Sequence, residues 1–178
     1  SDLPAPCTTF RPSTRWIMLP ESLRENPVAA SLEQLDPTMI AGGNMDLNEL
    51  TIEIVPEKIL AALRGLKEQK FERLSTVTAV DRYPMEPRFE VVYHLQSVSR
   101  NLFVRLKCRV SGEKPEIDSA TAVYASANWY EREAWDLFGV VFKGHPNLTR
   151  IMMPDFWEGH PLRRDYPVHG HKYSYQND

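Results

Sequence analysis

The chain has 178 residues, 42% hydrophobic and 25% charged, the balance of one globular domain long enough to bury a core. A net charge of −3 excludes the basic excess that broad binding to nucleic acid or anionic membrane requires. Apolar runs are only a few residues long, too short to span a bilayer, and no charged leader precedes an apolar segment as in a secretory signal.

Residues 1–26 carry Pro4, Pro6, Pro12 and Pro20 and read as an extended arm. Phe10, Trp16, Ile17, Met18 and Leu19 are apolar for a solvated tail, so docking stays open beside disorder. Pro27 can open a helix with Val28, Leu32 and Leu35 on one stripe, ended by Asp36-Pro37. Met39–Ala41 reads as a short strand before a Gly42-Gly43-Asn44 turn, and Leu50–Val55 as a second strand. A clearer helix follows Pro56, with Ile59, Leu60, Leu63 and Leu66 inward. Three strands come next. Leu74–Val80 is rich in Thr and Val, and Phe89–Leu95 alternates its faces. Leu102–Val110 places Leu102, Val104, Leu106, Cys108 and Val110 inward and Arg105, Lys107 and Arg109 on a solvated face. The polar link Ser97–Asn101 makes the last two strands antiparallel. This order predicts an α+β fold, a two-layer mixed sheet with helices on one face. The predicted division is an arm over 1–26, a core domain over 27–139 and an extended, Pro-rich C-terminal docking arm over 140–178.

Asn128–Pro167 organises the chain. Asn128 reads as an N-cap with Glu131 three residues on, and Gly139 as the helix stop. Tyr130, Ala134, Leu137 and Phe138 make the apolar stripe, and Arg132 can pair with Asp136 one turn away. Beyond Gly139, His145-Pro146, Met153-Pro154, His160-Pro161 and Tyr166-Pro167 force extended backbone. Its many large apolar side chains need cover, so the segment wraps its own domain, another protein, or both. Glu133 and Asp136 share a helix face, as an acid/base pair or two metal ligands would. The further Glu and Glu-x-x-His sets of a di-iron bundle are missing, and His169-x-His171 is only a weak metal hint. Cys7 and Cys108 are too few for a cluster or a structural zinc and read as reduced thiols. No phosphate-binding glycine loop or nucleophile elbow is present. The expected arrangement is instead one of opposite charges: Glu131, Glu133 and Asp136 on the helix met by Arg150, Arg163 and Arg164 from the arm.

These blocks carry a resemblance. The run Trp129-Tyr130-Glu131-Arg132-Glu133-x-x-Asp136-Leu137-Phe138-Gly139, then Gly144-His145-Pro146, Arg150-Ile151-Met152-Met153-Pro154 and Trp157 through Pro167, resembles the C-type subunit of NADH-quinone oxidoreductase (respiratory complex I), the 30 kDa subunit family. It extends more loosely back to about Pro27, and includes Thr78-Ala79-Val80-Asp81. The resemblance implies a cofactor-free core subunit of the peripheral arm, with FMN, iron–sulfur clusters and quinone held by its partners. The implied partners are the D-type subunit beside the quinone site and its peripheral-arm neighbours, with no nucleic acid and only indirect membrane contact. The implied place is the cytoplasmic side of the bacterial inner membrane rather than the mitochondrial matrix side. Trp129, Glu131, Arg132, Glu133, Asp136, Gly139, His145, Arg150, His160, Arg163, Arg164 and Asp165 would then be interface and structural groups, with no catalytic residues among them. Two alternatives stand beside this: the equivalent subunit of a membrane-bound hydrogenase or other-donor complex, and a free-standing enzyme using Glu133 and Asp136.

Overall fold

The computed structural model describes residues 21–47, 49–112 and 114–167. A short helix, α1 (Glu21–Arg24), leads into α2 (Pro27–Leu35), whose N-cap is Asn26: its side-chain oxygen accepts from the amides of Val28 and Ala29. Then come strands β1 (Ile40–Asp46) and β2 (Glu49–Ile54), a 3₁₀ turn at Pro56–Lys58 and helix α3 (Ile59–Glu68). Strands β3 (Arg73–Asp81), β4 (Phe89–Ser97) and β5 (Leu102–Val110) follow, then β6 (Glu116–Asp118), α4 (Ala127–Phe138) and β7 (Val141–Lys143). The fold is mixed α+β, as expected.

Five strands form one sheet in the order β1-β2-β5-β4-β3. Only the β2–β5 pair of this sheet is parallel, because the chain leaves β2 through α3, β3 and β4 before returning beside it. Alternate residues of each strand meet the helices: Leu50, Ile52 and Ile54, then Val104, Leu106 and Cys108, then Val91, Tyr93 and Leu95, then Val77 and Ala79. Val28, Ala29 and Leu32 from α2 and Ile59, Ala62, Leu63 and Leu66 from α3 close the same core. Leu35 and Leu102, both expected to face inward, are exposed. Cys108 is a buried free thiol, its pKa pushed up by that burial.

The expected Gly42-Gly43-Asn44 turn is corrected. Strand β1 runs through both glycines to Asp46, with Gly43 opposite Ile52. A Cβ on Gly43 would lie 2.7 Å from the carbonyl oxygen of Thr51 and 2.8 Å from Leu23 of α1. The glycine therefore serves close approach of a helix to the sheet rather than a reversal. On the far face Arg105 meets Glu49 at 2.5 Å, Arg109 meets Glu53 at 2.9 Å, and Lys107 and Arg82 meet Glu90 at 3.2 and 2.9 Å. The predicted cationic face is thus neutralised by glutamates of neighbouring strands, and Glu90 and Val92 beneath these pairs are buried.

Beyond Lys143 the described chain, residues 144–167, contains no helix or strand. The arms were expected over 1–26 and 140–178, but α1, the Asn26 cap and β7 lie within them and Leu23, Val140 and Phe142 are buried in the core. Residues 1–20 and 168–178, with Cys7, His169 and His171, lie outside the described residues.

Replacing Gly43 by alanine should destabilise the domain by about 1–3 kcal/mol, because the new methyl meets backbone that cannot give way. At Gly42 the added Cβ would meet only the Glu53 side chain at 3.6 Å, so Gly42→Ala should leave stability unchanged. Urea denaturation of both variants checks the contrast, and equal losses would refute it.

Candidate functional site

Helix α4 begins at Ala127, one residue before the expected cap, so Asn128 lies inside the first turn. The carbonyl of Asn128 instead receives Nε2 of His145 at 3.2 Å, while Nδ1 of the same ring accepts from the Asn147 amide at 3.1 Å. These two bonds fix His145 as the Nε2–H tautomer. Gly139 ends the helix in the left-handed conformation, φ 76°, with its amide donating to the Trp135 carbonyl.

The buried face of α4 is formed by Ala127, Glu131, Ala134 and Asp136. Two carboxylates on a buried face require donors, and the structure supplies them differently. Glu131 is fully buried; Oε2 accepts from the Ser119 hydroxyl and Oε1 from the Ala120 amide, both at 2.6 Å. Among the described residues no arginine meets it, contrary to expectation. Burial without a cation pushes its pKa up to about 7, against the lowering by those two bonds. Glu133, three residues from Asp136, is exposed.

Asp136 is also fully buried but held as an anion. Oδ1 pairs with the Arg150 guanidinium, as expected. Oδ2 accepts from three successive amides, Ile151 at 3.0 Å, Met152 at 2.8 Å and Met153 at 2.9 Å. Burial alone would raise its pKa, but these amides and Arg150 outweigh it and the net shift is downward. Arg150 also donates to the Gly159 carbonyl at 3.1 Å and lies over the Trp135 ring. Arg132 does not pair with Asp136. It reaches the Thr149 carbonyl at 3.1 Å and hydroxyl at 2.8 Å, and stacks on Trp129.

The last carbonyls of α4 have no partner within the helix. Residues 160–163 supply them. His160 Nδ1 donates to the Asp136 carbonyl at 2.9 Å, the Leu162 amide to Leu137 at 3.0 Å, and Arg163 Nε to Phe138 at 2.6 Å. Burial lowers the His160 pKa, so near pH 7 the ring is neutral with its proton on Nδ1. A Cβ at Gly139 would collide with the Arg163 guanidinium and the His160 ring. Arg163 therefore caps backbone rather than meeting a helix carboxylate, a correction to its expected role.

Arg164 and Asp165 are held by the end of β3, so Arg164 too departs from the expected pairing with α4. The Arg164 amide donates to Asp81 at 2.8 Å and its guanidinium reaches the Tyr83 carbonyl at 3.4 Å. Arg88 grips Asp81 at 2.9 and 2.7 Å and Asp165 at 2.9 and 2.6 Å, two forked pairs on one guanidinium. The pKa of Asp81 is held well below the carboxylate range, first by Arg88 and then by the Arg164 and Tyr83 amides. Sequence reasoning missed Arg88 and Ser119. Arg88 sits alone after Glu86-Pro87 in a loop, and only its distant partners reveal it. Ser119 carries a weak signal, a hydroxyl residue before a short Ala-rich turn.

The arrangement is thus a clasp in which residues 149–165 wrap the C-terminal half of α4 and reach the end of β3. Its polar groups are turned inward on one another. Asp136 and Glu133, the expected acid/base pair, are separated by exposure and by partners. Among the described residues, no three His, Cys, Asp or Glu side chains converge as they would on a metal ion.

A pH dependence follows for Glu131. Its folded pKa is raised from 4.5 to about 7, so its stabilising contribution is complete below about 4.5 and lost as pH rises through about 7. The loss is at most ~3 kcal/mol by linkage. Glutamine reproduces the protonated carboxyl, accepting from Ala120 and donating to Ser119, whose oxygen lies 2.6 Å from that of Thr121. Glu131→Gln should therefore flatten the decline in urea stability between pH 5 and pH 8. A variant as pH-dependent as the parent would contradict this.

Residues 52–172 match the model of the respiratory-chain NADH dehydrogenase 30 kDa subunit family. The NADH-quinone oxidoreductase C-type subunit of Citrifermentans bemidjiense is 49% identical over 123 residues, 68% of this chain and 76% of that protein. Its counterpart in Salinispora tropica is 45% identical over 150 residues, 80% of this chain and 61% of its own length. The chain thus spans between about three fifths and three quarters of these two relatives. Among solved structures, a trypsin-resistant fragment of Nqo5 superposes with a TM-score of 0.59 at 30% identity, over 66% of this chain and 96% of the fragment. A component of the archaeal membrane-bound sulfane sulfur reductase gives a TM-score of 0.65 at 26% identity, over 79% of this chain and 84% of that one. The matched span runs from the second half of β2 through β7 and holds the whole clasp, and on that ground the chain belongs to the 30 kDa subunit family of respiratory-chain NADH dehydrogenase.

Proposed function

We propose that this chain is a cofactor-free core subunit of the peripheral arm of a proton-translocating NADH:quinone oxidoreductase. Its work is to brace the quinone-site subunits by binding the D-type one, while FMN, iron–sulfur clusters and quinone belong to its neighbours. The observation that carries this reading is the clasp. Asp136, Arg150 and Arg163 hold residues 149–165 to α4, and Arg88 and Asp165 hold them to the end of β3, while Trp129 at 63%, Met152 at 57% and Leu162 at 52% exposure are turned outward. Aromatic and methionine side chains over a rigid, internally satisfied frame suit a docking surface far better than a reaction centre. No helix among the described residues is long and apolar enough to cross a membrane, which agrees with attachment through partner subunits. The place proposed is the cytoplasmic side of a bacterial inner membrane.

The likeness to a component of the sulfane sulfur reductase complex supports a second reading, the same bracing role in a membrane complex with another electron donor. The two readings share this chain's chemistry and differ in its neighbours. Mass spectrometry of the complex purified through this chain decides between them, since only the first predicts NADH-oxidising subunits in it.

Arg163→Ala removes the cap on Phe138, and Asp136→Asn removes the charge that gathers three amides. Losing a charged hydrogen bond costs ~1.5–3 kcal/mol, so the amount of the D-type partner recovered with either variant should fall about ten-fold or more. Turnover per assembled complex should stay near the parent value. Normal recovery of that partner with lost turnover would assign these residues a direct chemical role and overturn the bracing reading.

A further inference from the structure

The registers Arg73↔Gln96, Ser97↔Leu102 and Asp46↔Glu49 place one end of the sheet at these residues, opposite the end held by Asp81 and Arg88. At that remote end, apolar side chains crowd the surface. Leu47 is 92% exposed, Val98 62%, Phe103 53% and Met45 43%. Met45, Leu47 and Phe103 rim a groove of about 510 Å³ whose wall on the other side is Pro27 and Val28 at the start of α2. Leu47 also holds a positive φ of 46°, a conformation that favours glycine or asparagine. A leucine both strained and bare at a hairpin tip is unfavourable twice over in an isolated surface, and such outliers mark sites with a task.

The chain itself offers an occupant. Helix α1 lies against β1, with Leu23 fully buried, and Asn26, just after α1, lines the groove. The residues before Pro20 are Trp16-Ile17-Met18-Leu19, four apolar side chains in succession. Only six residues separate Leu19 from Asn26, a residue of the groove lining, so the stretch is tethered by a short length of chain. Tethering through α1 also gives it a high effective concentration over any free partner. We infer that the groove between α2 and the Met45–Phe103 rim is the seat of Trp16–Leu19 from the same chain. This pairing makes the N-terminal segment an internal strap of the domain at the end opposite the clasp.

The test uses the full chain, free of other subunits, with Cys7→Ser as background. Met18→Cys with Leu47→Cys should form a disulfide within one molecule under mild oxidation at high dilution, identified by peptide mass spectrometry. Independently, amides of residues 45–50 and 98–104 in the parent should exchange roughly ten-fold more slowly than in a Trp16→Ser, Ile17→Ser, Leu19→Ser variant, because local opening would no longer be opposed. A disulfide between two molecules would overturn the inference in favour of self-association. Absence of the disulfide together with equal exchange rates would overturn it in favour of a partner subunit in the groove. Both measurements are made on the isolated chain, so their outcome is separate from that of the assembly reading.

Discussion

A helix that ends beside a sheet must find donors for its last carbonyls, and here they come from twenty or more residues further along the chain. Asp136, Leu137 and Phe138 each offer a main-chain oxygen, and His160, Leu162 and Arg163 each bring the donor. Water would satisfy those oxygens if the helix end were open. The side chains of His160 and Arg163 and the amide of Leu162 occupy that position instead, and Gly139 has no side chain to collide with the first two. The rest of the clasp depends on this contact. On one side of it Asp136 gathers the amides of Ile151, Met152 and Met153, and on the other Arg88 takes Asp165. Cutting the carbonyl contacts would leave the two outer anchors holding a loop with nothing between them.

Prolines make this solution economical. His145-Pro146, Met153-Pro154 and His160-Pro161 keep the segment from becoming helix and deprive it of ladder donors. What remains are a few free amides and long cationic side chains, the groups that unfilled helix carbonyls and a buried carboxylate attract. A buried pair such as Asp136–Arg150 adds little net stability over an apolar substitute. Its value lies in register: three amides on one carboxylate oxygen allow the chain a single path past the helix.

Much of this was legible in the sequence, and the limits have physical causes. Strand β5 was readable to the residue because Leu102–Val110 alternates without interruption. Strand β1 was misread because Gly42-Gly43 is ordinarily a turn signal, and the packing of Leu23 onto Gly43 is a tertiary fact no local window contains. That an arginine of the arm meets a carboxylate of α4 was legible from charge, and Asp136–Arg150 is such a pair. Glu131 was not: a glutamate in a charged run reads as a partner for arginine, whereas the fold buries it against Ser119 and Ala120. The two-residue shift of the N-cap from Asn128 to Ser126 goes with that, because α4 is positioned by what it buries and not by its own cap. Arg88 escaped notice for the same reason; its two carboxylates lie 7 and 77 residues away in the chain.

The two carboxylates of α4 also show why identical chemistry takes opposite electrical states within one helix. Both fully shielded from solvent, Asp136 has a guanidinium and three amides while Glu131 has a hydroxyl and one amide. The first set outweighs the cost of burying a charge, and the second does not. Asp136 therefore stays charged near neutral pH and holds residues 150–153 to the helix. Glu131 faces the small β6–β7 sheet through Ser119, whose amide bonds to the Lys143 carbonyl at the end of β7. That places the contact that titrates near neutrality on the inner side of α4 and the carboxylate held as an anion on the side facing residues 149–165. A surface arranged in this way keeps its shape while the core beneath it gains or loses a proton.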